Sequence, residues 1–335
     1  MLYVTTRDDR DAYTSHRAMN ENVGPDGGRY VPFSLPAFTR EEIAGFQEKP
    51  FSQTVAEILN LFFSSRLTGW DVDFCIGRNP LRTQQMNHRI VVAELWHNLE
   101  GKYDFLVNNL GKAISGEKPV VISDWVNIAV RIAALFGVYG EMLRSGAAHP
   151  NTTFDVSVQS GDFSEPTAVY YARKMGLPVN CIICTCTDNN SVWDFLHRGT
   201  FSPVGATEAL QLGVERLIVD VFGVSEVRCF ADCCKNGQSY TLAEEQLSLL
   251  NSGFFATVAG DSRASATINS IYRTSGYIAD PKTAVCFGGL QDYRSRTGES
   301  QITLLLSEQS PLNFAGEIGN ITGLDKNKLE QLVNS

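Results

Sequence analysis

The sequence predicts an α/β protein: a mainly parallel sheet with helices on both faces, plus an α-rich N-terminal portion. Three observations carry this. From about residue 150 onward, strand-like and helix-like segments alternate, the pattern of parallel strands joined by crossover helices. Two strand segments, Val179-Asn-Cys-Ile-Ile-Cys-Thr185 and Ile302-Thr-Leu-Leu-Leu306, are apolar along most of their length, as strands buried on both faces are. The chain has 335 residues, 43% hydrophobic and 19% charged, with no internal repeat or low-complexity linker, enough for one compact unit with a sizeable core.

Taken in order, Asn22-Val-Gly-Pro-Asp-Gly-Gly28 is dense in turn formers and predicts a fixed loop leading into a short strand over 29–32. Thr39-Arg-Glu-Glu42 has the spacing of a capping box, so a helix starts there and runs to about Gln47. Apolar spacing from Val55 to Phe63 predicts a second helix, and residues 66–90 carry no strong pattern. The apolar stretch Trp125 to Leu143 is interrupted by Asn127, Arg131 and Glu141, so it predicts a buried helix rather than a membrane span. Phe154-Asp-Val-Ser-Val158 predicts a strand, Ser160-Gly161 a turn, and Glu165-Pro166 the start of a helix to Met175. After Gly176-Leu-Pro178 comes the strand over 179–185. Helices are predicted at about 190–198, 207–222, 241–252, 261–275 and 281–292, with strands at Phe254-Phe-Ala256 and 302–306.

The net charge of -9, with no lysine-arginine cluster, excludes a nucleic-acid or anionic-membrane surface as the expected partner. Met1 to Arg10 has no apolar run, which predicts no signal peptide and a cytoplasmic protein without disulfides. Cys181, Cys184 and Cys186 fall in a strand-like run, where Cys184 and Cys186 share a face and act as small buried hydrophobes. Cys229, Cys233 and Cys234 form a second group whose role stays open. His16, His88, His97, His149 and His197 show no metal-ligand spacing, so no metal is expected. Cys75, His88 and Asp104 have the residue types of a nucleophile, base and orienter, but nothing in the sequence brings them together.

In a doubly wound sheet, ligands sit at the carboxyl ends of strands and phosphates favour helix N-termini. Ser160-Gly-Asp-Phe-Ser-Glu165, between strand and helix, is therefore the best placed segment for a ligand. Asp162 and Glu165 put two negative charges where a phosphate would want neutral or positive groups.

The same segment carries a resemblance. Val158-Gln-Ser-Gly-Asp-Phe-Ser-Glu-Pro-Thr-Ala168, followed by Gly176-Leu-Pro178, resembles the phosphate loop and following helix of threonine synthases, where the loop reads S-G-N-F-G-D/N. Gly24-Pro-Asp-Gly-Gly-Arg-Tyr-Val-Pro32 with Leu35-Pro36 resembles the family's D-G-G-L-Y-x-P. Thr187-Asp-Asn-Asn190, Asp194-Phe-Leu196, Val214-Glu-Arg-Leu217 and Gly276-Tyr-Ile-Ala-Asp-Pro-Lys-Thr-Ala-Val285 resemble further family motifs, in family order. The similarity spans most of residues 1 to 320. It implies a fold-type II pyridoxal-phosphate scaffold, tryptophan synthase β-like in its large domain. Family members convert O-phosphohomoserine to threonine with the cofactor held as a Schiff base on a lysine. By the resemblance, residues 1–90 are a threonine-synthase-like N-terminal portion, 91–322 a reduced cofactor-type α/β domain and 323–335 a C-terminal helix.

Set against the family motifs, four parts differ. The lysine motif matches Leu95-Trp-His-Asn-Leu-Glu-Gly-Lys-Tyr-Asp-Phe105, which puts Tyr103 at the lysine position. Lys102 is one residue away, about 100° around a helix, and is expected to be a solvated surface lysine. Gly116-Glu-Lys-Pro-Val-Val-Ile122 runs directly into Ser123-Asp-Trp-Val-Asn127, which resembles the S-x-N helix beyond the family's small substrate-binding subdomain, so that subdomain is expected to be mostly missing. In the phosphate loop, Asp162 replaces asparagine and Ser164 replaces glycine. Glu308 stands at the threonine that meets the pyridine nitrogen in the family. The leading expectation is a shortened, catalytically inactive threonine-synthase-like protein with a regulatory or binding role. It has no catalytic residue, no cofactor, a non-functional remnant of the phosphate site at Ser160, Gly161, Asp162, Phe163, Ser164 and Glu308, and a vacated cavity filled by Trp96, Tyr103, Phe105, Trp125 and Phe136. Two alternatives stay open: an active pyridoxal-phosphate-dependent threonine synthase or related amino-acid lyase using Lys102 or another lysine, and a repurposed scaffold for another small metabolite. A protein partner or small-molecule ligand is left unassigned.

Overall fold

The computed structural model describes residues 1–87, 89–116, 122–150, 152–187 and 191–334, without the side chains of 115, 261 and 262. Among the described residues there are eleven strands: β1 (Leu2–Thr5), β2 (Tyr13–Thr14), β3 (Tyr30–Pro32), β4 (Thr83–Asn87), β5 (Ile90–Glu94), β6 (Phe154–Gln159), β7 (Val179–Cys186), β8 (Thr200–Phe201), β9 (Tyr240–Thr241), β10 (Phe254–Val258) and β11 (Thr303–Ser307). Six make the central sheet in the order β10-β7-β6-β11-β5-β4, parallel throughout except for the antiparallel edge strand β4. β1, β2 and β3 form a small antiparallel sheet, and β8 pairs with β9.

The apolar strand runs follow from burial on both faces. In β11, Leu304 and Leu306 join one hydrophobic cluster while Leu305 joins the other. β5 divides in the same way, with Val91 and Ala93 on one side and Ile90 and Val92 on the other. Successive side chains point to opposite faces, so a strand covered on both sides is apolar at every position. The first face is covered by the helices Asp124–Arg144 and Ser164–Lys174, the second by Asp261–Ser275 and Pro281–Thr297.

The helix Asp124–Arg144 is long and apolar enough to cross a membrane by length and composition, and it is buried in the core. The capping box at Thr39 is present: the Thr39 amide donates to Glu42 Oε2 at 2.7 Å and the Glu42 amide to Thr39 Oγ1 at 3.3 Å. Residues 66–90, patternless in the sequence, hold the helix Gly69–Ile76 and strand β4. Cys229, Cys233 and Cys234 lie on a further helix, Val224–Lys235, that the sequence did not signal.

Two ion networks, at Glu215 and Arg216, tie together segments far apart in sequence. Buried Glu215 accepts from the Thr6 hydroxyl and from Arg7 Nε and Nη2 at 3.0 and 2.9 Å. Its neighbour Arg216, also buried, donates to both oxygens of Asp124 at 2.7 and 3.0 Å, at the start of the core helix. The Glu-Arg pair of the motif Val214-Glu-Arg-Leu217 is thus a tie between segments far apart in sequence.

Candidate functional site

The chain runs outward from β6 through β7 to β10, and then returns to place β11 between β6 and β5. At such a reversal of strand order, the loops leaving adjacent strands diverge and open a crevice. Here a cleft of about 480 Å³ lies beyond the ends of β6 and β11, lined by Tyr103, Asn127, Arg131, Asp162, Ser164, Glu165 and Glu308 among others.

Four charged side chains from four elements meet there. Arg131 on the core helix holds Glu308, just past β11, through Nε and Nη2 at 3.1 and 3.3 Å. Lys282, the second residue of the helix Pro281–Thr297, donates to Glu308 Oε2 at 3.0 Å and also to Glu165 at the start of the helix Ser164–Lys174. Burial alone would raise the Glu308 carboxyl, but Arg131 and Lys282 outweigh it and bring it down to about 2. Glu165 is pushed up, by burial and then by the charge of Glu308, against Lys282 and Arg131. Burial would lower the Lys282 ammonium, yet Glu165 and Glu308 hold it above its ordinary value. Two carboxyl groups whose surroundings drive them apart make one a fixed charge and the other the better proton carrier.

Around this cluster, the Tyr103 hydroxyl donates to Asn127 Oδ1, and burial raises the phenol. Lys102 is half-buried rather than a solvated surface lysine. Its Nζ donates to the carbonyls of Ile76 and His97 at 2.9 and 3.0 Å, and neither residue lines the cleft. His97 packs beside Arg82, with Nε2 2.9 Å from the guanidinium, and burial, then Arg82 and Lys102, lowers the imidazole to about 4.

The loop 160–163 is built by packing. Phe163 has a left-handed φ of 69°, uncommon for a residue with a side chain, and its ring is fully buried and stacked near Phe254. Gly161 also has a positive φ, and a Cβ built on it would meet no atom within 4 Å, so the backbone there faces open space. Asp162 Oδ1 accepts from the Ser164 amide at 3.0 Å and from its hydroxyl at 2.5 Å, occupying part of the helix N-terminus. On the far side, a Cβ on Gly213 would lie 2.1 Å from the Asp162 carbonyl oxygen, so the helix Glu208–Phe222 passes directly against the loop.

Residues 2–79 match the family model for the threonine synthase N terminus. A threonine synthase from Pseudomonas aeruginosa is 21% identical over 416 residues, covering 91% of this chain and 87% of that protein. Human threonine synthase-like 1 is 26% identical over 196 residues, covering 54% of this chain and 26% of that protein. Among solved structures, PLP-bound threonine synthase from Brucella melitensis has a TM-score of 0.77 at 18% identity, covering 100% of this chain and 94% of that one. Threonine synthase from yeast has a TM-score of 0.79 at 17% identity, covering 99% and 94%. This chain is threonine-synthase-like. Its fold is that of the fold-type II pyridoxal-phosphate enzymes, in a shortened form: the Pseudomonas alignment is longer than the 335 residues of this chain, so that relative carries residues with no counterpart here.

Two expectations are corrected. The first is the absence of a cofactor: likeness to a PLP-bound threonine synthase over the full length points to pyridoxal phosphate rather than to none. Four altered motif parts led to that expectation, whereas the strand ends still enclose a cleft. The second is the filling of that cleft by aromatic rings. Only Tyr103 of the five lines it. Trp125 packs with Tyr3, Phe62 and Tyr171, Phe136 with Phe38 and Phe46, Trp96 on His97, and Phe105 lies partly exposed against Phe74.

Among the described residues between Tyr103 and the core helix there is one helix, Tyr103–Ser115. Residues 117–121 of the shortened segment, 188–190 of Thr187-Asp-Asn-Asn190, and His88 of the Cys75, His88, Asp104 set lie outside the described residues. All eight cysteines are free thiols, with Cys184 and Cys186 both buried. Among the described residues no group of three or more His, Cys, Asp or Glu converges as a metal site would. A second hollow of about 560 Å³ lies by Arg7, Glu215 and Arg228, but its Arg7 and Glu215 are paired with each other and Arg228 donates to the Arg7 carbonyl.

Arg131 and Asn127 line the cleft and Lys282 is bonded to two of its lining carboxylates, and the sequence assigned none of the three a role. Arg131 did leave a signal: a full charge inside an apolar buried helix needs a partner. Lys282 left none, because nothing local places it opposite Glu308.

Proposed function

We propose that this threonine-synthase-like chain binds pyridoxal phosphate in the cleft beyond β6 and β11 and does not convert O-phosphohomoserine to threonine, serving instead as a binding or regulatory protein. A cytosolic setting belongs to this reading, and eight free thiols accord with it. The observation that carries it is the set of partners of Tyr103 and Lys282. Tyr103, at the family's lysine position, is bonded to Asn127, while the amine held against the lining is Lys282.

The residues present fit the cofactor. Ser160, Gly161 and Ser164 at a helix N-terminus would hold its phosphate, with the exposed Asp162 carboxylate giving up the Ser164 amide. Glu308, fixed as an anion by Arg131 and Lys282, would stand beside the pyridine nitrogen, the place the resemblance gives it. Bound there, pyridoxal phosphate supplies an electron sink for amino-acid chemistry. The chain's own residues do the rest: Arg131 and Lys282 fix the Glu308 charge, Glu165 carries a proton beside Lys282 Nζ, and Tyr103 and Asn127 close one wall.

Thermal unfolding with added pyridoxal phosphate tests the binding half of this reading. A ligand at about a hundred times its Kd adds about 2.7 kcal/mol, which raises Tm by roughly 4 °C in a chain of this size. An unchanged Tm at large excess of the cofactor would overturn it.

A further inference from the structure

We propose that a smaller hollow at the edge of the central sheet binds a free α-amino acid with a small aliphatic side chain, Glu94 taking its ammonium and Arg82 its carboxylate. The site is separate from the cofactor cleft, with no lining residue in common.

The hollow holds about 180 Å³ between the start of β4, the end of β5, the segment at Tyr277 and the C-terminal helix Lys326–Asn334. One water needs only about 10–15 Å³, whereas drug-sized ligands occupy about 300–1,000 Å³, so the space suits a small metabolite. Edge pairing puts two opposite charges side by side in its wall: the Glu94 amide donates to the Arg82 carbonyl at 2.9 Å. Glu94 is only 4% exposed, and its Oε2 accepts no hydrogen bond. Arg82 Nε stands 3.3 Å from that oxygen as an ion pair alone. Burial raises the Glu94 carboxyl, and Arg82 offsets the rise only in part. The Tyr277 hydroxyl, buried in the same wall, approaches Glu94 and Ser307 without completing a hydrogen bond to either.

Buried polar atoms left without partners are costly, and here two of them face one polar hollow. An ammonium has three N–H donors, so one such group can serve Glu94 Oε2 and the Tyr277 oxygen together. On the other side, Arg82 Nη1 meets His97 Nε2 at 2.9 Å, and Nη2 has no partner among the described residues. That nitrogen is left for a carboxylate. An α-amino acid carries its ammonium and carboxylate one carbon apart, which matches two charges held on neighbouring strand residues. An amine alone would leave Arg82 unused, and a carboxylate alone would meet the charge of Glu94. Ile278, Pro311 and Val333 add an apolar wall, which favours a short aliphatic side chain.

Isothermal titration of the full chain with L-alanine and with L-valine, in the absence of pyridoxal phosphate, tests this directly. Ligand up to about 10 mM reveals any Kd of about 1 mM or tighter. The expected result is saturable binding at one site, weakened about tenfold or more by Glu94→Gln and likewise by Arg82→Gln. Propionate and ethylamine, each carrying one half of the head group, are expected to bind about tenfold more weakly or worse. Far-UV spectra without ligand establish that each variant is folded. Arg82 is partly exposed, so its variant keeps the test decisive should Glu94→Gln not fold. No binding of either amino acid overturns the inference. So does binding that the folded variants retain in full, or binding of propionate or ethylamine as tight as that of the amino acids.

Discussion

At the scale of single residues, the cleft is a balance of charges in which each member depends on the others. Glu308 shows this most clearly, because Arg131 and Lys282 together more than reverse the effect of its burial. Its folded pKa lies below the ordinary carboxylate value of about 4.3, so it stabilises the fold above that pH. The contribution is lost as the pH falls from there through about 2. Glu308→Gln keeps the shape and removes the charge, leaving Arg131 and Lys282 with only Glu165. The expected loss is roughly 1–3 kcal/mol at pH 7, less than for a fully buried pair because these side chains keep some solvent contact. Urea denaturation at pH 7 and at pH 3 measures it, and the gap between wild type and variant is expected to narrow at the lower pH. Much of this cluster was legible only in part. Glu308 was found through a motif and Arg131 stood out in an apolar helix, but Lys282 required knowing that two segments separated by 26 residues converge.

At the scale of elements, local signals placed most of the sheet and its helices. The capping box at Thr39, the apolar runs of β7 and β11, and the proline opening a helix after Glu165 are choices made by neighbouring residues, and so they can be read from the sequence. The helix Val224–Lys235 was missed because it follows another helix across a single glycine, Gly223, and its polar, cysteine-rich face dilutes the apolar period. Gly213 was missed for a different reason: its importance lies in what passes beside it. Its bare Cα lets the helix Glu208–Phe222 lie against the Asp162 carbonyl. Gly213→Ala gains helix propensity, worth about 1 kcal/mol, but forces the loop 160–164 to move. The net expectation is a loss of about 1–3 kcal/mol by urea denaturation, with a weaker Tm rise on adding pyridoxal phosphate than wild type shows. A variant as stable as wild type with an unchanged rise would show that the loop does not depend on this contact.

At the scale of the whole molecule, the fold is shared over nearly the full chain with threonine synthases of solved structure. The buried Glu215 holds the N-terminal segment through Thr6 and Arg7, and its neighbour Arg216 holds Asp124 at the start of the core helix. The α/β class and its shortened, threonine-synthase-like character were legible because they rest on many segments in a fixed order. Retention of an open cleft was not, because a cavity is a property of packing among distant elements and no single motif encodes it. An open cleft together with a displaced amine leads to one outcome for the reaction itself. The most direct measurement is threonine formation from O-phosphohomoserine by the full chain with saturating pyridoxal phosphate. The expected result is no threonine above a protein-free control, in the same samples whose Tm the cofactor raises. Catalytic formation of threonine would contradict it.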